Sequence, residues 1–422
     1  MKTAFRPALP QNKLFSALKQ LRGNARYAIL CEPLYSILSA LYLPYASLYM
    51  HELGLTDGQI GHTVTVGLIS QLAGAFLGGI VVDKLGRRRT NLIFDVAAYG
   101  ISSLLLAFAQ GFWWFAVAMA FNGMWQVSSN AWNGLIGEDT PPEQLSLAYT
   151  GFYIISQGAS FFAPVSILLV QCLSLVPAMR ALYFVAALTQ SAKAILLYRF
   201  TRETPMGLQR MEETKHISWF GMLQSYRGVL RQVFRTPATF LLLSIIVIVN
   251  VITVITNNFF SLYITQTLCL PDTLAGYISI IRAALMILFM FSFQNRVNSL
   301  PYRPVLSAGM GIYIAAFLSL ICSKFSLVGL GAYILLEAVA FAFVSPRKDA
   351  LLTLFVDKHD RSRIFGMIFV ITLGCTSPFG SFIGSLSDSN REYPFFLAIG
   401  LCAVCALLVL LVRTGSREGD SA

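Results

Sequence analysis

The sequence predicts an all-α membrane protein of twelve transmembrane helices in two six-helix repeats, with both termini cytoplasmic. Composition, the distribution of basic residues and an internal repeat predict it. Of 422 residues, 56% are hydrophobic and 12% charged, and mean hydropathy is +0.66, whereas a soluble domain carries about 25% charge. An ordinary soluble enzyme is excluded. The net charge of +11 does not mark a nucleic-acid binder, because the basic residues lie between apolar runs instead of clustering on one soluble face.

A spanning helix takes roughly 20 apolar residues. Windows of that kind fall at 27–50, 58–82, 91–109, 112–136, 146–171, 177–199, 238–265, 273–296, 303–323, 326–345, 363–387 and 393–413. Residues 1–26 carry six Lys or Arg and no acid, and lack a short apolar core with a cleavage site, so they read as a cytoplasmic arm. With that arm inside, the inner segments hold 26 of the 31 Lys and Arg, and the outer loops only Arg180, Lys324 and Arg391. This is the bias of a membrane protein with its positive loops inside. Five segments follow: an arm (1–26), a first bundle (27–199), a central cytoplasmic loop (200–237), a second bundle (238–413) and a cytoplasmic tail (414–422). In the central loop, Trp219, Met222, Leu223, Tyr226, Val229, Leu230 and Val233 recur at helical spacing, the pattern of an amphipathic helix on the membrane surface. Cys402 and Cys405 form a CxxC inside the last apolar run, where they read as small fillers of a lipid-facing helix.

The two bundles repeat each other. Ser47-Leu48-Tyr49 matches Ser261-Leu262-Tyr263 at an offset of 214, and Asp57 and Gly61 match Asp272 and Gly276 at 215. Asp83 falls on Asn298, Gly86 on Pro301 and Arg88 on Arg303, again at 215, and Pro164 falls on Pro378 at 214. Internal repeats of this kind are a common transporter plan, with the binding site at mid-depth between them.

Between spans 2 and 3 the chain reads GGIVVDKLGRRRT. Gly79, Asp83, Gly86, Arg87 and Arg88 fit G-x-x-x-D-x-x-G-R-[RK], which resembles the signature loop of the major facilitator superfamily, and the likeness extends over the whole chain. Gly79 permits close helix approach, Gly86 a tight turn, and Asp83 suits a helix N-terminus. The resemblance implies that Asp83, Arg87 and Arg88 help latch the halves together on the cytoplasmic side. It also implies that helices 1, 4, 7 and 10 line a central cavity. Drug-antiporter and sugar-porter signatures are not matched: Asn122 stands near the antiporters' span 4 Arg, and TRETP follows span 6.

Polar residues concentrate in those four spans. Asn122, Gln126, Asn130 and Asn133 recur in span 4, and Asn250, Thr253, Asn257 and Ser261 in span 7, with Asn258 adjacent; span 1 offers Glu32 and Tyr35, and span 10 Tyr333 and Glu337. Such groups avoid lipid. Asn122, Gln126, Asn130, Asn250, Asn257, Asn258, Tyr35 and Arg282 are therefore the candidate substrate contacts. Glu337 and Glu32 are the candidate proton-coupling groups. Glu337 lies near mid-depth and Arg282 at a similar depth, so the two are natural partners. Lys193 is expected to snorkel to the inner interface, and Asp95 to pair with the arginine loop; His62 has no partner legible in the sequence. The expected function is secondary transport of a small polar organic solute by alternating access, coupled to protons. An efflux antiporter for amphipathic compounds, or an uncoupled facilitator, is the alternative. Neither cofactor nor metal is implied. The expected partners are a small-molecule substrate and the lipid bilayer of the cell membrane, with no nucleic acid, and the chain is expected to act as a monomer.

Overall fold

The structure, a computed structural model, describes residues 23–140, 151–152, 155–156, 158–215, 237–298, 302–355 and 361–411. All regular structure among them is helical. In chain order, the first half holds α1 (Gly23–Glu52), α2 (Asp57–Leu85), α3 (Arg87–Ala107), α4 (Phe112–Gly123 and Trp125–Gly137), α5 (Ala159–Leu173) and α6 (Leu175–Phe200). A short α7 (Pro205–Thr214) follows. The second half holds α8 (Pro237–Leu262), α9 (Thr273–Asn298), α10 (Tyr302–Cys322), α11 (Val328–Phe355), α12 (Arg361–Ser389) and α13 (Tyr393–Leu411). Among the described residues, eight helical runs are long and apolar enough to cross a membrane, and three shorter apolar ones accompany them. The chain is a multi-pass membrane protein.

Local chemistry sets the interruptions that shape the interior. α1 breaks at Glu32, where Pro33 opens the next segment, and again around Pro44, since proline lacks the N–H that an unbroken helix needs. α3 widens into a π-type turn over Val96–Ile101, directly after Asp95. α2 starts with a capping box: Thr56 Oγ1 accepts from Gln59 N at 3.2 Å while Gln59 Oε1 accepts from Thr56 N at 3.1 Å.

The two halves meet along α2 and α12 at the end that carries Asp57 and Arg391. Glycine makes this seam possible. A Cβ on Gly61 would strike the Gly380 carbonyl and the Cα of Gly384, and one on Gly384 would lie 2.7 Å from the Asp57 carbonyl and 2.8 Å from the Gly61 Cα. Polar contacts run along it. Thr65 Oγ1 donates to the Ser377 carbonyl at 2.9 Å and accepts from Ser381 N at 2.8 Å, and His62 Nδ1 lies 2.8 Å from Ser381 Oγ. At the rim, Arg391 Nε donates to Asp57 Oδ2 at 2.9 Å and Ser387 Oγ to the same atom at 2.7 Å.

Two expectations change here. Cys402 and Cys405 are fully buried in the main hydrophobic core, not turned to lipid, because α13 packs this face against α8 and α10. The amphipathic stretch of residues 219–233 lies outside the described residues, as do residues 1–22 and 412–422. The described part of the central loop folds as α7, whose Thr214 Oγ1 donates to the Asp83 carbonyl at 3.2 Å.

Candidate functional site

Three adjoining cavities open into one another: one of about 430 Å³ walled by the first half, one of about 480 Å³ between the halves, and one of about 310 Å³ walled by the second half. The first and second share Leu43, Ala46, Met119 and Asn122, and the second and third share Thr256, Asn257, Ser279 and Arg282. Together they form one chamber, set back from the seam.

Each half contributes a buried ion pair to its wall. In the second half, Arg282 of α9 grips Glu337 of α11 with two bonds, Nη2 to Oε1 at 2.6 Å and Nε to Oε2 at 3.1 Å. In the first half, Lys193 Nζ of α6 lies 3.1 Å from Glu32 Oε2, and Ser36 Oγ donates to Glu32 Oε1 at 3.0 Å. The pairing of Arg282 with Glu337 is the one the sequence named. That of Lys193 is not: its side chain is 7% exposed and does not snorkel, because a carboxylate at its own depth offers a stronger interaction in a low-dielectric interior than a stretch to the interface.

Asp95 also departs from expectation. Eight residues carry it about 12 Å along the helix from Arg87, out of reach of the arginine loop. It is buried at 3% exposure and lines the first cavity. Ser128 Oγ donates to its Oδ1. Sequence reasoning missed this group, although Asn91, Asp95 and Tyr99 recur at one-turn spacing on α3 and all three line the cavity.

The amide stripes divide. Asn122, Asn257 and Asn258 line the chamber, as do Tyr35 and Arg282. Gln126 and Asn130 do not: they turn toward α2, beside Gly74 and Gly78. Steps of four residues rotate about 40° each around a helix, so a stripe spaced by fours drifts off its face. Asn250 leaves the site as well, its amide donating to Thr376 Oγ1 of α12 at 3.3 Å. The first cavity has a further feature the polarity count did not anticipate, an aromatic wall of Tyr35, Tyr99, Trp125, Trp132 and Phe152.

At the other end of α2, the arginine loop folds tightly. Gly86 has φ +82°, a conformation that favours glycine. Arg87 Nη1 reaches Asp83 Oδ1 at 3.4 Å and Arg87 Nη2 reaches Glu138 Oε1 at 3.0 Å. Arg88 donates from Nε to the Tyr198 carbonyl at 2.8 Å. The acid at the N-terminus of α3 is Glu203, not Asp83: its Oε1 and Oε2 accept from the backbone N–H of Arg87 and Arg88, both at 2.9 Å. Glu203 belongs to the TRETP run, which the sequence alone could not tie to this loop. Gly78, one residue before Gly79, makes the close approach to α4, and Gly79 itself is half-buried. Replacing Gly86 by Ala is expected to lower the melting temperature. A backbone at φ +82°, ψ 161° costs a residue with a side chain about 1–3 kcal/mol, and the new methyl would lie 2.7 Å from Glu203 Oε2. An unchanged melting curve would contradict this account of the loop.

A helical membrane protein whose halves close at one end over a polar, charged chamber has the architecture of a solute transporter. The family model of the Major Facilitator Superfamily matches residues 29–371, and the chain belongs to that family. A search of curated protein sequences finds no match. Among solved structures, the chain is similar to the nucleoside transporter NupG, at 15% identity and TM-score 0.70, over 93% of this chain and 100% of that one. It is also similar to a D-xylose-proton symporter, at 14% identity and TM-score 0.66, over 95% and 97% of the two chains. A bacterial homologue of the human lysosomal transporter Spinster, in an inward-facing and occupied conformation, shares 14% identity at TM-score 0.66, over 96% and 97%. At these identities the likeness is one of fold.

Proposed function

We propose that this protein is a secondary active transporter that moves a small polar organic solute across the cell membrane by alternating access, coupled to protons. The observation that carries the proposal is the chamber between the halves, walled by Asn122, Asn257, Asn258 and buried ion pairs. Amides orient a polar solute by hydrogen bonds, and binding sites at the repeat interface suit a rocking mechanism. The twelve-span topology with cytoplasmic termini rests on the asymmetry of Lys and Arg. On that topology the α2–α12 seam is the outer gate, closed, and the chamber communicates with the cytoplasm. The arginine loop, with Asp83, Arg87 and Arg88, is assigned the cytoplasmic latch; among the described residues its contacts include Glu138, Tyr198, Glu203 and, on α7, Thr214. The protein acts as a monomer.

The aromatic wall favours a second reading, export of amphipathic compounds in exchange for protons. Uptake into proteoliposomes under an imposed pH gradient separates the readings. Solute gathering on the alkaline side supports movement with protons, solute gathering on the acidic side supports exchange for protons, and mere equilibration supports a facilitator. Replacing Glu337 by Gln is expected to change how accumulation depends on external pH. Accumulation that stays the same across the pH range removes Glu337 from proton coupling.

A further inference from the structure

The charged groups that line the chamber do not balance. Among the described residues they are three carboxyls, Glu32, Asp95 and Glu337, and two cations, Lys193 and Arg282. Arg282 and Glu337 satisfy each other through two bonds, so the excess lies in the first half, where Glu32 and Asp95 share one ammonium. Lys193 bonds Glu32, and both line the same cavity as Asp95. The geometry points to this cluster as a site for one exchangeable monovalent cation, filled either by a proton on Asp95 or by the substituted ammonium group of the transported solute.

Asp95 has the required open valence. It is 3% exposed, and its Oδ2 has no hydrogen-bond partner among the described residues. Its Oδ1 is held by Ser128, whose hydroxyl in turn accepts from the Asn91 amide at 2.9 Å, so the carboxyl is oriented with one oxygen unsatisfied. Buried polar oxygens are rarely left in that state, and an unmatched buried charge is strongly unfavourable. A bound proton supplies both the missing charge and a donor. The titratable groups that share its cavity include Glu32 and Tyr35 on α1, Tyr99 on α3 and Lys193 on α6, with Cys31 of α1 next to Glu32 in sequence. The cation that competes with the proton is organic, because the same cavity presents ring faces from Tyr35, Tyr99, Trp125, Trp132 and Phe152, and ring faces attract alkylated ammonium groups. Its volume of about 430 Å³ suits such a solute. Proton and cation cannot both occupy a site with one surplus charge, so the site imposes exchange: the incoming cation displaces the proton from Asp95 to bulk water.

The inference deepens the transport reading by naming the charge of the solute, and it can be tested on binding alone. The purified full-length protein, in weakly buffered detergent solution with a pH-indicator dye, is titrated with tetraphenylphosphonium, a permanent cation that carries no proton of its own. The expected result is one proton released per cation bound, with affinity rising about tenfold per pH unit over the range where the proton is exchanged. Asp95→Asn and Glu32→Gln are each expected to abolish the proton release, since either leaves one acid matched to Lys193. Lys193→Met introduced into Asp95→Asn is expected to restore the release of one proton per cation, because Glu32 without its ammonium becomes the surplus acid, a change that a purely structural role would not produce. Asp95→Glu retains the release. Should Asp95→Asn fail to fold, Glu32→Gln makes the same test from another helix. The inference is overturned if tetraphenylphosphonium does not bind, binds without releasing a proton, or still releases one from Asp95→Asn. A protein that exchanges proton for cation in micelles but moves no solute across vesicles would instead overturn the transport reading and leave this site standing.

Discussion

Replacing Gly384 by Leu is expected to cut transport fivefold or more while leaving a folded protein whose chamber stays open at the end that carries Asp57 and Arg391, the outer end on the proposed topology. The reason lies in what borders Gly384: backbone, not flexible side chains. A Cβ there meets the Asp57 carbonyl and the Cα atoms of Gly61 and Gly58 at 2.7, 2.8 and 3.1 Å. Backbone atoms of two long helices cannot step aside singly, so the added side chain must hold α2 and α12 apart. Overpacking costs about 1–3 kcal/mol or more, and it falls only on the state in which the seam is shut. At about 1.4 kcal/mol per tenfold, the balance between the two states shifts by roughly five- to a hundredfold. The contacts across the seam, from Arg391–Asp57 to Thr65–Ser377, would be lost together. The check is solute uptake together with the reactivity of Asn257→Cys, in a cysteine-free background, toward a membrane-impermeant maleimide added outside. Labelling should rise as uptake falls. Wild-type uptake with no gain in labelling would show that the seam does not gate the chamber.

Breaking the Arg282–Glu337 pair by halves is expected to do more harm to stability than removing it whole. Both side chains are well buried, at 17% and 5% exposure, and the guanidinium also lies 5.5 Å from the centre of the Phe260 ring. Leaving one buried charge without its partner typically costs about 3–5 kcal/mol, whereas replacing both partners by apolar groups is often neutral. Glu337→Leu and Arg282→Leu should each lower the unfolding midpoint in detergent sharply, and the double variant should recover most of it. Transport should not recover, because the double variant strips the second-half wall of its only charged groups among the described residues. Recovery of both stability and transport would reduce the pair to a packing element. Single variants as stable as the wild type would mean that water in the chamber screens the pair fully.

The residues brought together in the chamber show what a linear reading can and cannot reach. Glu337 and Arg282 were paired by depth, since each sits well inside an apolar run and position along a helix converts directly into distance from its end. Asn122 and Asn257 were found because amides avoid lipid. Gln126, Asn130 and Asn250 obeyed the same rule in another way, by turning against α2 and α12. Polarity says that a side chain must leave the lipid; it does not say whether protein or cavity receives it. Lys193 and Asp95 were misplaced for a related reason. Their partners, Glu32 and Ser128, lie 161 and 33 residues away in sequence, and no local pattern links them.

The amino-acid order by itself determined that this chain enters a bilayer, and it carries the internal repeat and the charge asymmetry on which the proposed two-bundle topology rests. Those properties follow from one-dimensional quantities: apolar length against hydrocarbon thickness, charge against side, and offset against offset. Tertiary structure alone decided which glycines let the halves touch, that Glu203 caps α3, and that Asp95 lines one cavity with Glu32 and Lys193. Each depends on how far every helix is rotated about its axis, and that angle is set by the packing of all its neighbours at once.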